Sequence, residues 1–255
     1  MTSGVGRAVF EVRTNGTDLL PITVLFPAGD DGAPISGPHP GVVFVQGGFV
    51  STARYEWQAI ELAKAGYVVA IPENQLQLAF FSVDYGQAAR TLLVQGPKGS
   101  LLEGLVDGMH VAVMGHSLGS VVAMKLALEG NFDAVVLEAG FPDGADASKL
   151  PSFTKPVLSL AGELDCSAKL ASVRDGWAGI SSPTALAVLA GVTHYQFTNA
   201  DTEDRQRKCV PTADLADAHA RMMQAVLGFY ASALRGGTVG QAALEQVPGL
   251  TVEVR

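Results

Sequence analysis

Short apolar runs alternate with helix-like segments along most of this chain, and this alternation constrains its fold more than any other feature. A continuous apolar run of about four to eight residues between turn residues is typical of a strand buried on both faces of a sheet. Because such strands alternate with helices, we predict a doubly wound α/β domain with a mostly parallel sheet and helices on both faces, over residues 1–255. The predicted strands are residues 8–13, 20–26, 42–48, 67–71, 111–114, 134–139, 156–162 and 184–191, the last taken as the final strand. The predicted helices are residues 55–66, 83–93, 118–130 and 213–237, the last ended by a glycine pair.

Composition argues against several classes of partner. The 255 residues are 48% hydrophobic and 16% charged, which is typical of a folded domain. The net charge of −8 argues against nucleic acid or an anionic membrane as the main partner. No apolar run reaches the roughly 20 residues that span a bilayer. The first residues do not resemble a secretory leader, so we expect either a cytoplasmic protein or one whose leader was replaced by a start Met.

The cysteines and histidines show no metal-binding pattern. Cys166 and Cys209 allow either one disulfide or two free thiols. We expect no metal and no cofactor, because the five histidines are scattered and no Cys-x-x-Cys pair occurs. The histidines are His39, His110, His116, His194 and His219.

A serine between two glycines stands where a predicted strand meets a predicted helix. Residues 115–119 read Gly-His-Ser-Leu-Gly. A sharp turn between strand and helix exposes the hydroxyl of such a serine, and the glycines make room for the crowded backbone. The pattern could arise by chance in a chain with 29 glycines. Its place between a strand and a helix favours Ser117 as a nucleophile.

Two loops further along the chain can supply the base and the acid that a serine nucleophile needs. His194 follows the strand at 184–191, and Asp165 follows the strand at 156–162. The order Ser, Asp, His is the one expected for this type of turn. Glu163 is the competing acid, and we prefer Asp165 because it lies at the end of its loop.

The oxyanion hole requires two backbone N–H groups. Leu118, directly after the serine, supplies one. The loop after the strand at 42–48 supplies the other, and we assign it to Phe49, because Gly47 and Gly48 allow the backbone to turn inward.

These residues carry a resemblance to a known family. The chain resembles α/β-hydrolase-fold serine esterases over nearly its whole length, and among them the dienelactone-hydrolase-like, chlorophyllase and cutinase-like polyester hydrolase branches. The resemblance implies an α/β-hydrolase fold, a Ser117–His194–Asp165 triad and no cofactor. In cutinase-like members a Gly-aromatic pair supplies an oxyanion N–H and a wall of the acyl pocket, and Gly48-Phe49 matches it. The matching text lies at residues 41–74, 115–120, 161–168 and 191–197.

The chain departs from this pattern at three positions. Gln46 stands where many esterases have histidine, and Ser120 where glycine is common. Ser117 stands where dienelactone hydrolases have cysteine, which favours ordinary esters over dienelactones.

The length of one connection predicts an open cleft. Only residues 140–155 separate two predicted strands at the place where lipases insert a lid, and this segment is too short for a cap domain. An open cleft suits bulky, chain-like or surface-bound esters. The predicted substrate contacts are Gly48, Phe49, His116, Phe141 and Tyr195, of which Phe141 could equally be core.

Cys166 adjoins the predicted acid and Cys209 lies beyond the predicted base. A bond between them would tether the two catalytic loops and contribute about 3–4 kcal/mol. We favour it slightly over free thiols, and with it a secreted protein over a cytoplasmic one.

The predicted function is that of a serine carboxylic-ester hydrolase on short- to medium-chain or polymeric esters, working as a monomer. Its activity should rise with pH through the histidine pKa, about 6.5 when unperturbed. An acyltransferase, a peptidase or lactonase, and a non-catalytic ligand-binding member of the fold remain open, because fold and triad do not choose the carbonyl.

Overall fold

Nine strands form one sheet in the part of the chain that the computed structural model describes, residues 4–14, 19–74, 82–130, 132–181, 183–235 and 244–255. Their order in the sheet is β1-β2-β4-β3-β5-β6-β7-β8-β9. Strands β3 to β8 are parallel to one another, whereas β1, β2 and β9 pair antiparallel with their neighbours. The strands are β1 (Gly4–Arg13), β2 (Leu19–Ala28), β3 (His39–Val45), β4 (Val68–Pro72), β5 (Val106–His116), β6 (Ala134–Glu138), β7 (Val157–Gly162), β8 (Thr184–Leu189) and β9 (Leu250–Val254).

Helices cover both faces of this sheet, as the alternation predicted. Helices α1 and α6 pack on one face and α2 and α3 on the other. Helix α4 covers β7 and β8 near one edge. None of the described helices combines the length and the apolar character needed to cross a membrane. The helices are α1 (Glu56–Lys64), α2 (Ser82–Gln95), α3 (Leu118–Glu129), α4 (Leu170–Ala178), α5 (Thr202–Gln206) and α6 (Leu215–Ala233).

The register of the central strands separates the two cores. Successive residues of a strand point to opposite faces, so a row of paired residues lies on one face. One such row faces α1 and α6, and the row one residue earlier faces α2 and α3. The first row is Phe44, Met114, Val136, Leu158 and Ala185, and the second is Val43, Val113, Val135 and Val157.

The strand order also positions the site. The chain leaves β3 toward β4 on one side and returns to β5 on the other, so the order reverses at β3. In open α/β sheets ligands bind beyond the carboxyl ends of the strands at such a reversal. The loop that carries Phe49 and the turn that carries Ser117 leave β3 and β5 at this point.

Several elements differ from the sequence prediction: β1 and β3 begin earlier than predicted, and helices α4 and α5 were not predicted. The strand at 184–191 is not the last, because β9 pairs antiparallel with β8. Strand β9 contains only partly buried and exposed residues at the sheet edge, and therefore lacks the continuous apolar run of an inner strand. Strand β5 begins five residues before the predicted 111, in an exposed stretch that precedes its buried part.

The sequence also predicts that the connection between β6 and β7 is too short for a cap domain and that a glycine pair ends the last helix. Two short 3₁₀ turns, Gly144–Asp146 and Leu150–Ser152, occupy the connection between β6 and β7, with no cap domain there. Helix α6 ends at Ala233, and the glycine pair predicted to end it lies outside the described residues.

Candidate active site

Ser117 is the one residue between the end of β5 and the start of α3. Its backbone has φ 56° and ψ −119°, a left-handed conformation that an L side chain rarely adopts. A Cβ at Gly115 would clash with the carbonyl oxygen of Gly119, and a Cβ at Gly119 would clash with that of Val45. Both positions therefore require glycine, because the backbone of the turn lies in close contact with itself and with the end of β3. Strain of this kind costs about 1–3 kcal/mol and is typical of functional sites.

A continuous chain of hydrogen bonds joins the three predicted catalytic side chains. His194 Nε2 lies 3.0 Å from Ser117 Oγ, and His194 Nδ1 lies 2.8 Å from Asp165 Oδ2. The Oδ1 atom of Asp165 accepts the N–H groups of Ser167 and Ala168, each at 2.7 Å. These contacts fix the carboxylate, which in turn orients the imidazole toward the serine.

Glu163, the competing acid, lies away from His194. Its Oε2 accepts the N–H of Gly191 at 2.8 Å and so braces the loop that leads to the histidine. The structure thus brings Asp165, not Glu163, into contact with the imidazole.

The two predicted oxyanion donors lie on loops that touch. Leu118 is the first residue of α3, where a backbone N–H has no acceptor within the helix. Phe49 has φ 60° in a turn closed by a bond from Val50 N–H to the Gly47 carbonyl. A Cβ at Gly48 would lie 2.6 Å from Leu118 Cδ1, so the glycine lets the two loops approach.

Three apolar side chains that follow the carboxyl ends of β3, β5 and β6 are exposed. Phe49 is 74% exposed, Leu118 50% and Phe141 36%. Tyr195 is partly buried, with its ring edge-on to that of His194 at a centroid distance of 5.2 Å.

His116 is not placed as a substrate contact. Its ring has no solvent exposure and is bonded on both nitrogens, to the Tyr55 hydroxyl and to the His194 carbonyl. The His116 side chain packs against the rings of Tyr55 and Phe197. This placement argues against the expectation that it lines the substrate cleft.

With this geometry established, comparison with known proteins defines the family. A sequence profile described as "Alpha/beta hydrolase family" matches residues 41–210. The chain belongs to the alpha/beta hydrolase family. It is 26% identical over 184 residues to chlorophyllase-1, chloroplastic, of Citrus sinensis, an alignment that covers 70% of this chain and 53% of the relative. The chain thus matches about half the length of that relative. Family and relative together support a hydrolase.

A disulfide joins the loop of Asp165 to the segment after α5 in this alpha/beta hydrolase. Cys166 and Cys209 are bonded, with their Cα atoms 6.1 Å apart. Cys166 follows Asp165 directly, and the N–H of Cys209 donates to the carbonyl of Asp204 at 2.8 Å. The bond therefore ties the loop of Asp165 to the segment that follows His194.

Several residues around His194 were not identified from the sequence. The buried Asp204 accepts the N–H of Tyr195 at 2.6 Å, and burial raises the pKa of the Asp204 carboxyl. Nε2 of His219 donates to the carbonyls of Gln196 and Thr198. Both contacts hold the 3₁₀ turn His194–Phe197. An isolated acid or histidine in a helix carries no sequence signal for such a role.

An ion pair joins the Phe49 loop to the same region. Arg54 donates to Glu203 at 2.9 Å, and also to the Thr198 hydroxyl and the Ala200 carbonyl. The Arg54 hydrogen bond lowers the pKa of Glu203 to about 2. The two partners are 149 positions apart, so local sequence patterns cannot reveal them.

Proposed function

We propose that the chain is a serine carboxylic-ester hydrolase that works through an acyl-enzyme. The observation that carries the proposal is the unbroken contact from Asp165 through His194 to the strained Ser117. A serine hydroxyl is a weak nucleophile unless a base takes its proton, and this arrangement supplies the base and the group that orients it. Similarity to chlorophyllase supports an esterase-type activity.

The mechanism follows from the contacts. Ser117 Oγ attacks the ester carbonyl carbon while its proton passes to His194 Nε2, and Asp165 stabilises the imidazolium. The N–H groups of Leu118 and Phe49 bind the oxyanion of the tetrahedral intermediate. His194 then protonates the leaving alcohol as the carbon–oxygen bond breaks. Water, deprotonated by the same histidine, attacks the acyl-enzyme and releases the acid and Ser117.

The exposed apolar side chains favour esters with an apolar acyl or alcohol part. Phe49, Leu118 and Phe141 are all exposed. The short connection between β6 and β7 builds no cap over them. We therefore propose short- to medium-chain esters as substrates, with bulky or polymeric esters, as in cutinase-like polyester hydrolases, as a further class to test.

The first test is hydrolysis of 4-nitrophenyl acetate, butyrate and palmitate by the wild type and by Ser117→Ala. We expect the serine variant to lose about 10⁴-fold or more in kcat. Ser152→Ala, in an exposed 3₁₀ turn, is the matched control and should keep wild-type kcat. Equal rates for wild type and Ser117→Ala would overturn the proposal. A product formed with an added alcohol in preference to water would instead indicate an acyltransferase.

A second pair of variants tests which carboxylate acts. Asp165→Asn should lower kcat by about 10³- to 10⁴-fold, because the amide no longer holds the imidazole in its productive tautomer. Glu163→Gln keeps an oxygen that can accept the Gly191 N–H and should stay within about threefold of wild type. The reverse result would transfer the role of acid to Glu163.

A further inference from the structure

Three buried hydrogen bonds connect the loop of Phe49 to the backbone of His194. The N–H of Gly47 donates to the Tyr55 hydroxyl oxygen at 3.0 Å. The same oxygen lies 2.9 Å from Nδ1 of His116. Nε2 of His116 lies 3.1 Å from the His194 carbonyl. The Tyr55 and His116 side chains have no solvent exposure, so water does not compete for these bonds.

The contacts and the burial of His116 together select one arrangement of protons. The His194 carbonyl can only accept, so Nε2 of His116 carries a proton. Burial, together with the nearby His194 ring, lowers the pKa of His116, which keeps the ring neutral and makes Nδ1 an acceptor. The Tyr55 hydroxyl must then donate to Nδ1, and its oxygen accepts the Gly47 N–H. All three bonds thus point in one direction, from Gly47 to His194, an arrangement in which each bond strengthens the next.

The three hydrogen bonds begin at the loop of the proposed oxyanion donor Phe49 and end at the proposed base His194. Gly47 is the first residue of the turn that carries Phe49, and its carbonyl closes that turn by accepting the Val50 N–H. The other end is the backbone of His194 itself. The bonds therefore set how far the Phe49 amide lies from the imidazole.

The same contacts explain the glycine at position 47. A Cβ at this position would lie 2.8 Å from the Tyr55 hydroxyl oxygen and 3.0 Å from His116 Nδ1. The glycine is thus required by the close approach of the tyrosine–histidine pair.

We propose that Tyr55 and His116 are positioning residues that hold the Phe49 amide and the His194 imidazole at the separation which the tetrahedral intermediate requires. The inference rests on the proposed function, and neither residue touches the substrate. A misplacement of about 1 Å in such a site can cost about 100-fold in rate. In this proposal, the histidine of the Gly-His-Ser-Leu-Gly turn links the Tyr55 hydroxyl to the His194 carbonyl.

The test begins with Tyr55→Phe, which removes one hydroxyl and leaves the Gly47 N–H and His116 Nδ1 without their partner. We expect kcat for 4-nitrophenyl butyrate to fall about 10- to 100-fold with KM within about twofold. Inactivation by diethyl 4-nitrophenyl phosphate, whose phosphoryl oxygen occupies the oxyanion position, should slow by the same factor. Rates are normalised to active sites by the 4-nitrophenol burst, and folding is checked by circular dichroism.

Tyr230→Phe is the matched control. Tyr230 is equally buried, and its hydroxyl has no hydrogen-bond partner among the described residues. We expect this variant to keep kcat within about twofold of wild type. A folded Tyr55→Phe enzyme that also keeps wild-type kcat and inactivation rate would overturn the inference.

A second pair of variants decides the matter if Tyr55→Phe does not fold. His116→Gln retains an amide N–H able to reach the His194 carbonyl, whereas His116→Leu does not. We expect at least about tenfold higher kcat in the glutamine variant, and equal kcat in the two would overturn the inference. An active wild type with an inactive Ser117→Ala and an unaffected Tyr55→Phe refutes the positioning role alone. A wild type without Ser117-dependent hydrolysis refutes the proposed function and this inference with it.

Discussion

At the scale of single residues, the Glu138 carbonyl anchors the turn of the proposed nucleophile, while its buried carboxyl group lowers stability at high pH. Its carbonyl accepts the Ser117 N–H at 2.8 Å and the Ser120 hydroxyl at 2.9 Å, which anchors the turn. Its side chain is fully buried and accepts a hydrogen bond from Gln58 Nε2 at 3.0 Å. Burial raises the pKa of the Glu138 carboxyl to about 8, against the smaller lowering effect of Gln58. The position thus holds a carboxyl group that resists ionisation when the chain is folded.

This residue makes stability depend on pH in a defined window. The unfolded chain loses the Glu138 proton near pH 4.5, while the folded chain keeps it until about pH 8. The free energy of unfolding should therefore fall as the pH rises through this window, by an amount on the order of 4 kcal/mol. Glu138→Gln removes the ionisation, and its amide can donate to Gln58 Oε1, which has no hydrogen-bond partner among the described residues. We expect the variant to match wild type at pH 4.5 and to be more stable at pH 8.

Urea unfolding at the two pH values checks this expectation. Glu129→Gln, at an exposed position, is the control and should follow the wild-type curve at both values. A difference in free energy of unfolding between Glu138→Gln and wild type that is the same at pH 4.5 and pH 8 would contradict the assignment of this pH window to Glu138.

At the scale of elements, the sequence pattern predicts the buried strands but misses the edge strand β9. Strands β6, β7 and β8 are buried at every residue, so each appears in the sequence as a continuous apolar run. Strand β9 is half exposed and carries Glu253, and it was missed because one covered face leaves only a weak alternation.

The proposed triad could be located for a similar reason. Ser117, Asp165 and His194 each follow a recognisable strand, and parallel strands bring their carboxyl ends to one edge. Their supporting residues could not be found in this way. Tyr55 and His116 are 61 positions apart, and only the folded sheet brings them together.

The disulfide acts between elements and predicts a change in stability. Cys166 and Cys209 are 43 positions apart, and closing a loop of this length reduces the entropy of the unfolded chain by about 4 kcal/mol at 25 °C. We expect Cys166→Ala with Cys209→Ala to lower the free energy of unfolding by about this amount. Reduced wild type should behave like the double variant, measured by urea unfolding with and without dithiothreitol. A reductant effect on the double variant itself would show that the loss has another origin.

At the scale of the whole molecule, charge and exposed apolar surface act against each other near an interface. The chain carries a net charge of −8, which repels anionic surfaces at low ionic strength. Phe49 and Leu118, beside Ser117, expose apolar side chains that favour contact with an insoluble ester. Whether charge repulsion or apolar contact governs the rate of ester hydrolysis at an interface therefore depends on the charge of the surface and on the salt concentration.

This balance predicts a salt effect that is confined to charged interfaces. Salt shortens the screening length from about 30 Å at 10 mM to about 8 Å at 150 mM. We therefore expect hydrolysis of tributyrin droplets coated with an anionic surfactant to speed up several-fold between these concentrations. Droplets coated with a neutral surfactant should change by less than about twofold, and so should soluble 4-nitrophenyl acetate, which controls for salt effects on the chemistry. Equal rates on anionic and neutral droplets at 10 mM salt would mean that the repulsion does not reach the face that carries Ser117.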